Sequence, residues 1–217
     1  MKTDVLDYSA IKAVIFDMDG TMVDNNEFHM RAFQEFCRRH GKILSDEEFM
    51  DKFVGRQNNH LMPMVFGEDL SQEEVEAYGD EKEAIYREMY ADHIRPVFGL
   101  HDFLKLLKEK DIKVAIATGA NEANRKFVLQ KLDLIHTFDE IVGSEEIKHG
   151  KPEPDIFLAT AEKLGISPEK CIVFEDAPAG ITAAKRAGME AVALTTTHTE
   201  DELKEADVVV KDFAELL

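Results

Sequence analysis

Asp17 and Asp19 stand two residues apart in the run Ala13-Val14-Ile15-Phe16-Asp17-Met18-Asp19-Gly20-Thr21. Four apolar residues lead into the first acid, which reads as a short buried strand bounded by a turn. Gly20 gives the freedom for a sharp turn just past the strand end. Two carboxylates thus emerge together at the carboxyl end of a buried strand, the edge where open α/β sheets bind ligands. Acids this close repel when both are ionised, and a divalent cation is a usual remedy for hard oxygen ligands. A solvated Asp-Gly turn is the plain alternative, so other loops must decide.

Three further segments place polar groups where apolar runs stop. Thr118-Gly119 follows one run and Glu175-Asp176 another, and Lys151 sits in Gly150-Lys151-Pro152-Glu153-Pro154 just before a helix. If these ends share one sheet edge, the set is two Asp, a small hydroxyl, a Lys and an acidic pair. Its chemistry is coherent. A carboxylate can attack phosphorus and hold an aspartyl-phosphate. Phosphoryl transfer then needs charge neutralisation and alignment above all. A cation and a Lys neutralise, a hydroxyl and backbone N–H groups orient, and a second carboxyl moves the proton.

The elements that must position these residues follow from periodicity. Apolar runs at Ala13–Phe16, Lys113–Thr118, Glu140–Gly143, Cys171–Asp176 and Ala191–Leu194 read as strands, with Val208–Val210 as a last edge strand. Helical patterns alternate with them at Leu100–Leu107, Asn121–Leu132, Asp155–Leu164 and Ala179–Ala187. Such alternation implies βαβ crossovers and a mostly parallel sheet. Between Phe28 and Asp92 nothing reads as a strand. Phe28, Ala32, Phe33 and Phe36 recur at helical spacing, and Ser45-x-x-Glu48 and Ser71-x-x-Glu74 are two capping-box signatures. The expected organisation is an α/β core from residues 1–25 and 94–217, with an all-helical domain of residues 26–93 inserted after the first strand.

The chain has 217 residues, 44% of them hydrophobic, enough for a substantial core. A net charge of −18 argues against nucleic acid and against an anionic membrane surface. Cys37 and Cys171 are the only cysteines and make no disulfide framework. No window approaches the ~18 apolar residues of a membrane span, and Met1–Ala10 lacks a signal-length apolar stretch. A cytoplasmic monomer is the expectation.

In its motifs the chain resembles the haloacid dehalogenase superfamily. Asp17-Met18-Asp19-Gly20-Thr21 matches the first motif, Thr118 the second, Lys151 the third and Glu175-Asp176 the fourth. The helical insert resembles the small-cap (C1) subclass. The closest likeness is to the β-phosphoglucomutase-like branch, through Asp24 with His29, Val54-Gly55-Arg56, the segment Gly150–Phe157 and Glu175-Asp176-Ala177-Pro178-Ala179-Gly180-Ile181. The resemblance implies a Rossmann-like core and a Mg²⁺ cofactor. It implies Asp17 as nucleophile and metal ligand, and Asp19 as general acid/base whose carbonyl also binds metal. Asp176 would be a third ligand with Glu175 close by. Thr118 and Lys151 would hold the transferring phosphoryl group, with the Gly119 N–H helping.

Other positions carry two readings each. His29 opens a helix and is as readily structural as substrate-binding. Arg56 follows Gly55 in a helix break, where a guanidinium suits phosphate or sugar hydroxyls, or is a surface arginine. Lys82 lies in Glu81-Lys82-Glu83, where a solvated helix face is the default and a substrate contact the alternative. Asn121-Glu122 reads as a helix N-terminus. No G-x-x-x-x-G-K-[ST] or G-x-G-x-x-G occurs, so a P-loop or nicotinamide enzyme is unsupported. The first functional reading is a Mg²⁺-dependent phosphatase of a small phosphorylated metabolite, a sugar phosphate. The alternative is a β-phosphoglucomutase. A non-catalytic binding protein is disfavoured because no catalytic position is lost.

Overall fold

The computed structural model describes residues 6–53, 58–67 and 69–217. The chain divides into two compact units, Met1–Asp24 with Arg95–Leu217, and Asn25–Ile94.

The first unit is built on six parallel strands: β1 (Ala13–Phe16), β2 (Lys113–Thr118), β3 (Glu140–Gly143), β4 (Cys171–Glu175), β5 (Glu190–Leu194) and β6 (Val208–Val210). Their order is β3-β2-β1-β4-β5-β6, so the first strand in sequence lies in the middle. Every pair is parallel, and all carboxyl ends therefore share one edge. Helices cover both faces, which is why the central strands are continuous apolar runs and do not alternate. On one face Ile15, Ala115, Val173 and Ala191 pack with Phe157 and Ile181. The latter two come from the helices at Asp155–Leu164 and Pro178–Arg186. On the other, Phe16 stacks on Phe174 at 5.3 Å and meets Phe103 and Phe213 at 6.2 and 5.9 Å. The α/β expectation holds.

The regular elements among the insert's described residues are helices: α1 (Asn26–Arg39), α2 (Asp46–Lys52), α3 (Asn58–Phe66) and α4 (Gln72–Tyr90). The two capping signatures differ. Ser71 and Glu74 bond reciprocally at the start of α4, whereas at α2 the Ser45 hydroxyl accepts the Glu48 N–H at 3.1 Å and no return bond forms. Phe33 and Phe36 of α1 carry the core of this unit, with Phe49 and Phe53 against Phe33 and Tyr78 of α4 against Phe36. The helices of the first unit are α5 (Leu100–Glu109), α6 (Glu122–Lys131), α7 (Asp155–Leu164) and α8 (Pro178–Arg186). No described helix is long and apolar enough to cross a membrane.

Candidate active site

Asp17 is the first residue past β1, and its N–H still bonds the Phe174 carbonyl of β4 at 2.9 Å. The sheet hydrogen bonding therefore carries on into the acid and sets where it emerges. The chain then turns sharply. Gly20 sits at φ 80°, a backbone conformation costly for a residue with a Cβ, and its N–H closes onto the Val23 carbonyl at 2.7 Å. Asp19 is half-buried on this turn.

Lys151 gathers the acids. It lies between β3 and α7, next to a cis Lys151–Pro152 peptide. Its ammonium donates to Asp17 Oδ1 at 2.5 Å and to Glu175 Oε1 at 2.6 Å. Glu175, the last residue of β4, accepts further bonds from the N–H groups of Asp176 and Ala177, both at 3.0 Å. Asp176 follows, buried, and accepts from the Thr21 hydroxyl at 3.3 Å. Thr118 ends β2, buried, with its hydroxyl accepting the Ala120 N–H at 3.1 Å. Gly119 is exposed, and a Cβ built there would meet nothing within 4 Å. Its missing side chain is therefore not demanded by the chain's own packing.

The electrostatics are lopsided. Asp17, Glu175 and Asp176 are three buried carboxyls, and the Lys151 ammonium bonds the first two. Burial pushes Asp17 well above the ordinary carboxylate range; Lys151 pulls it back, and the Glu175 and Asp176 charges push it further up. Asp176 is raised to about 7, by burial first and then by Glu175. For Lys151, burial disfavours the charge, but Asp17 and Glu175 outweigh it and hold the side chain as an ammonium. The pocket is thus short of positive charge, and all its donors are oxygens. That donor set fits a hard divalent cation. Among the described residues no three Asp, Glu, His or Cys side chains form a complete ligand set. A cation here would use two carboxylates plus a main-chain carbonyl and water, as Mg²⁺ commonly does.

Three further candidates, His29, Arg56 and Lys82, belong to the Asn25–Ile94 unit. Arg56, with Val54 and Gly55, is outside the described residues. His29, on α1, stacks on Tyr86 at 3.8 Å, and its Nε2 lies 3.4 Å from the side-chain nitrogen of fully buried Asn25. Asn25 also donates to the Tyr86 hydroxyl at 2.6 Å. Lys82 corrects the sequence expectation. It is buried and not on a solvated face, its ammonium 2.6 Å from Glu83. A buried lysine needs such a partner. Asn121 caps α6 through the Asn124 N–H at 2.8 Å, as its sequence pattern suggested.

One segment escaped the sequence reading. Thr195-Thr196-Thr197-His198 follows β5 on the same edge. The Thr196 hydroxyl donates to the Gly20 carbonyl, Thr197 bonds the Asp176 side chain, and His198 Nδ1 donates to the Asp176 carbonyl at 2.9 Å. The rule that singled out Thr118, a polar group where an apolar strand stops, applies equally here.

Comparison with known proteins agrees with this architecture. Residues 14–194 match the model of the haloacid dehalogenase-like hydrolases. A fructose-1-phosphate phosphatase of Escherichia coli is 34% identical over 185 residues, covering 85% of this chain and 97% of that one. A β-phosphoglucomutase of Bacillus subtilis is 32% identical over 216 residues, covering 95% and 92%. A family IA hydrolase of Entamoeba histolytica superposes with a TM-score of 0.88 at 33% identity, covering 95% and 96% of the two chains. Likeness of this extent, in a fold whose strand order already gathers the motif residues, means that the chain belongs to the haloacid dehalogenase-like hydrolases.

Proposed function

We propose that this chain is a Mg²⁺-dependent phosphatase that hydrolyses a small sugar phosphate through an aspartyl-phosphate on Asp17. The observation that carries the reading is the convergence on Lys151: one ammonium bonds the Asp17 carboxylate at 2.5 Å and Glu175 at 2.6 Å on the ligand-binding edge of the sheet. Similarity to a fructose-1-phosphate phosphatase supports the substrate class. Phosphatases of this family generally use Mg²⁺.

Each residue has a defined task. Asp17 Oδ attacks phosphorus in line, the P–O bond to the sugar breaks, and Asp19 gives its proton to the leaving oxygen. Lys151 neutralises charge on the phosphoryl oxygens, and the Thr118 hydroxyl and Gly119 N–H orient them. Asp19, now a carboxylate, takes a proton from water as that water attacks the aspartyl-phosphate, which restores Asp17 and frees phosphate. A Mg²⁺ ion held by Asp17, Asp176 and the Asp19 carbonyl would supply further neutralisation of the transferring group. His29, Arg56 and Lys82 are proposed to recognise the sugar.

The β-phosphoglucomutase similarity over 95% of the chain favours a second reading, in which the phosphoryl group returns to another hydroxyl of the same sugar. One assay separates them: phosphate release from a panel of sugar phosphates with Mg²⁺, including β-glucose 1-phosphate primed with glucose 1,6-bisphosphate. Free phosphate forming faster than glucose 6-phosphate is the expected result, and the reverse establishes the mutase. Asp17→Asn is expected to reduce either activity by at least ~10³-fold, because the nucleophile is gone. Retained turnover in that variant would refute the assignment.

A further inference from the structure

We propose that Thr196, Thr197 and His198 are positioning residues that hold the two acid-bearing loops in register for a divalent cation. The inference rests on the reading of this edge as a phosphoryl-transfer centre, and it adds residues that no motif of the sequence singled out.

The geometry is specific. The sheet order runs β1-β4-β5, so β5 is not a neighbour of β1. The segment after β5 nevertheless reaches both loops. Thr196 donates to the Gly20 carbonyl, on the turn that carries Asp17 and Asp19. Thr197 bonds the Asp176 side chain, and His198 Nδ1 donates to the Asp176 carbonyl at 2.9 Å. Thr21 closes the circuit, its hydroxyl donating to Asp176 Oδ1 at 3.3 Å. The segment is itself anchored, since the Thr195 N–H bonds the Val210 carbonyl of β6 at 3.1 Å.

The consequence is mechanical. Asp17 and Asp176 start from adjacent strands, but the Asp19 carbonyl lies three residues beyond β1, on a turn with a positive-φ glycine. A bond to the Gly20 carbonyl restrains the Gly20–Thr21 peptide, one peptide beyond the Asp19 carbonyl on the same tight turn. Bonds to both the side chain and the carbonyl of Asp176 fix that residue from the other side. Partners behind metal-ligating groups typically contribute 10- to 100-fold to metal affinity or activity. A segment that merely anchored a loop would contribute to stability instead.

The test compares Thr196→Val with Thr196→Ser, and His198→Ala with His198→Asn, which keeps an N–H donor. Mg²⁺ affinity is measured by titration calorimetry, the melting midpoint is measured without metal, and kcat and KM are measured separately. Thr196→Val and His198→Ala are expected to weaken Mg²⁺ binding about 10-fold or more and to lower kcat 10- to 100-fold. The metal-free midpoint should stay within a few degrees, and Thr196→Ser and His198→Asn should restore most of the loss. Unchanged Mg²⁺ affinity with a lowered midpoint, or an effect on KM alone, overturns the proposal. If His198→Ala does not fold, the Thr196 pair decides. Wild-type protein that binds no Mg²⁺ overturns the phosphoryl-transfer reading, and this inference with it.

Discussion

Gly180 shows how tightly the acid cluster is built. It lies on α8, and a Cβ there would fall 1.9 Å from Oε1 of Glu175 and 2.0 Å from its carboxyl carbon. That carboxylate cannot easily move, because Lys151 and two main-chain N–H groups hold it. Gly180→Ala should therefore displace Glu175, and with it the Lys151 ammonium that bridges to Asp17. A misplacement of about 1 Å in such a site costs on the order of 10²-fold in rate, so kcat should fall by about that much. A rate within twofold of wild type would show that Glu175 does not position Lys151. Gly119 is the useful contrast. A methyl there meets nothing of the protein, so Gly119→Ala should leave the melting midpoint unchanged. Any fall in kcat/KM then reports space or an N–H that the phosphoryl group needs. If activity is also unchanged, Gly119 is removed from the substrate-binding set.

Asp207 joins elements in the same way that Lys151 joins acids. It precedes β6, its N–H bonds the Ala191 carbonyl at 2.9 Å, and its carboxylate takes the Ala191 N–H at 2.8 Å and the Lys185 ammonium of α8. Burial alone would raise its pKa, but the lysine and the N–H outweigh it and the net shift is downward from 3.8. A depressed carboxylate contributes stability above its unfolded pKa and loses it as pH falls through the folded value. Asp207→Asn should thus cost about 0.5–1 kcal/mol near neutrality, given the screening of an exposed pair, or a few degrees in melting midpoint. The gap between wild type and variant should close as pH falls from about 3.8. A gap that does not narrow as pH is lowered would mean that the lost interaction is steric. Elements such as β4, β5 and α8 were legible in the sequence, because strands buried on both faces are uninterrupted apolar runs. The carboxyl ends of such strands carry Asp17, Thr118 and Glu175-Asp176, and Lys151 lies between β3 and α7. Thr195–His198 is not legible in the sequence, because short polar residues after a strand look like any turn. Only the sheet order reveals that this turn extends past β4 to the Gly20 carbonyl. The burial of Lys82 is not legible either, because Glu81-Lys82-Glu83 is locally polar, whereas burial is a property of tertiary packing.

At the scale of the whole molecule, charge is the feature with a kinetic consequence. The chain carries −18, and its proposed substrate is an anion. Within the pocket, Lys151 is already paired with Asp17 and Glu175, so it projects little attraction into solvent. Approach is then governed by the summed field, which repels a phosphate ester over roughly 30 Å at ~0.01 M salt but only about 8 Å at ~0.15 M. The value of kcat/KM should therefore rise several-fold between those two NaCl concentrations at saturating Mg²⁺. By contrast, kcat should hold steady, because salt acts on the approach of the substrate and not on the complex once formed. Ordinary electrostatic steering has the opposite sign, with association slowing as salt is added. If kcat/KM falls with salt, a local cationic surface overrides the net charge at the entrance. Substituting exposed basic residues one at a time would then identify it.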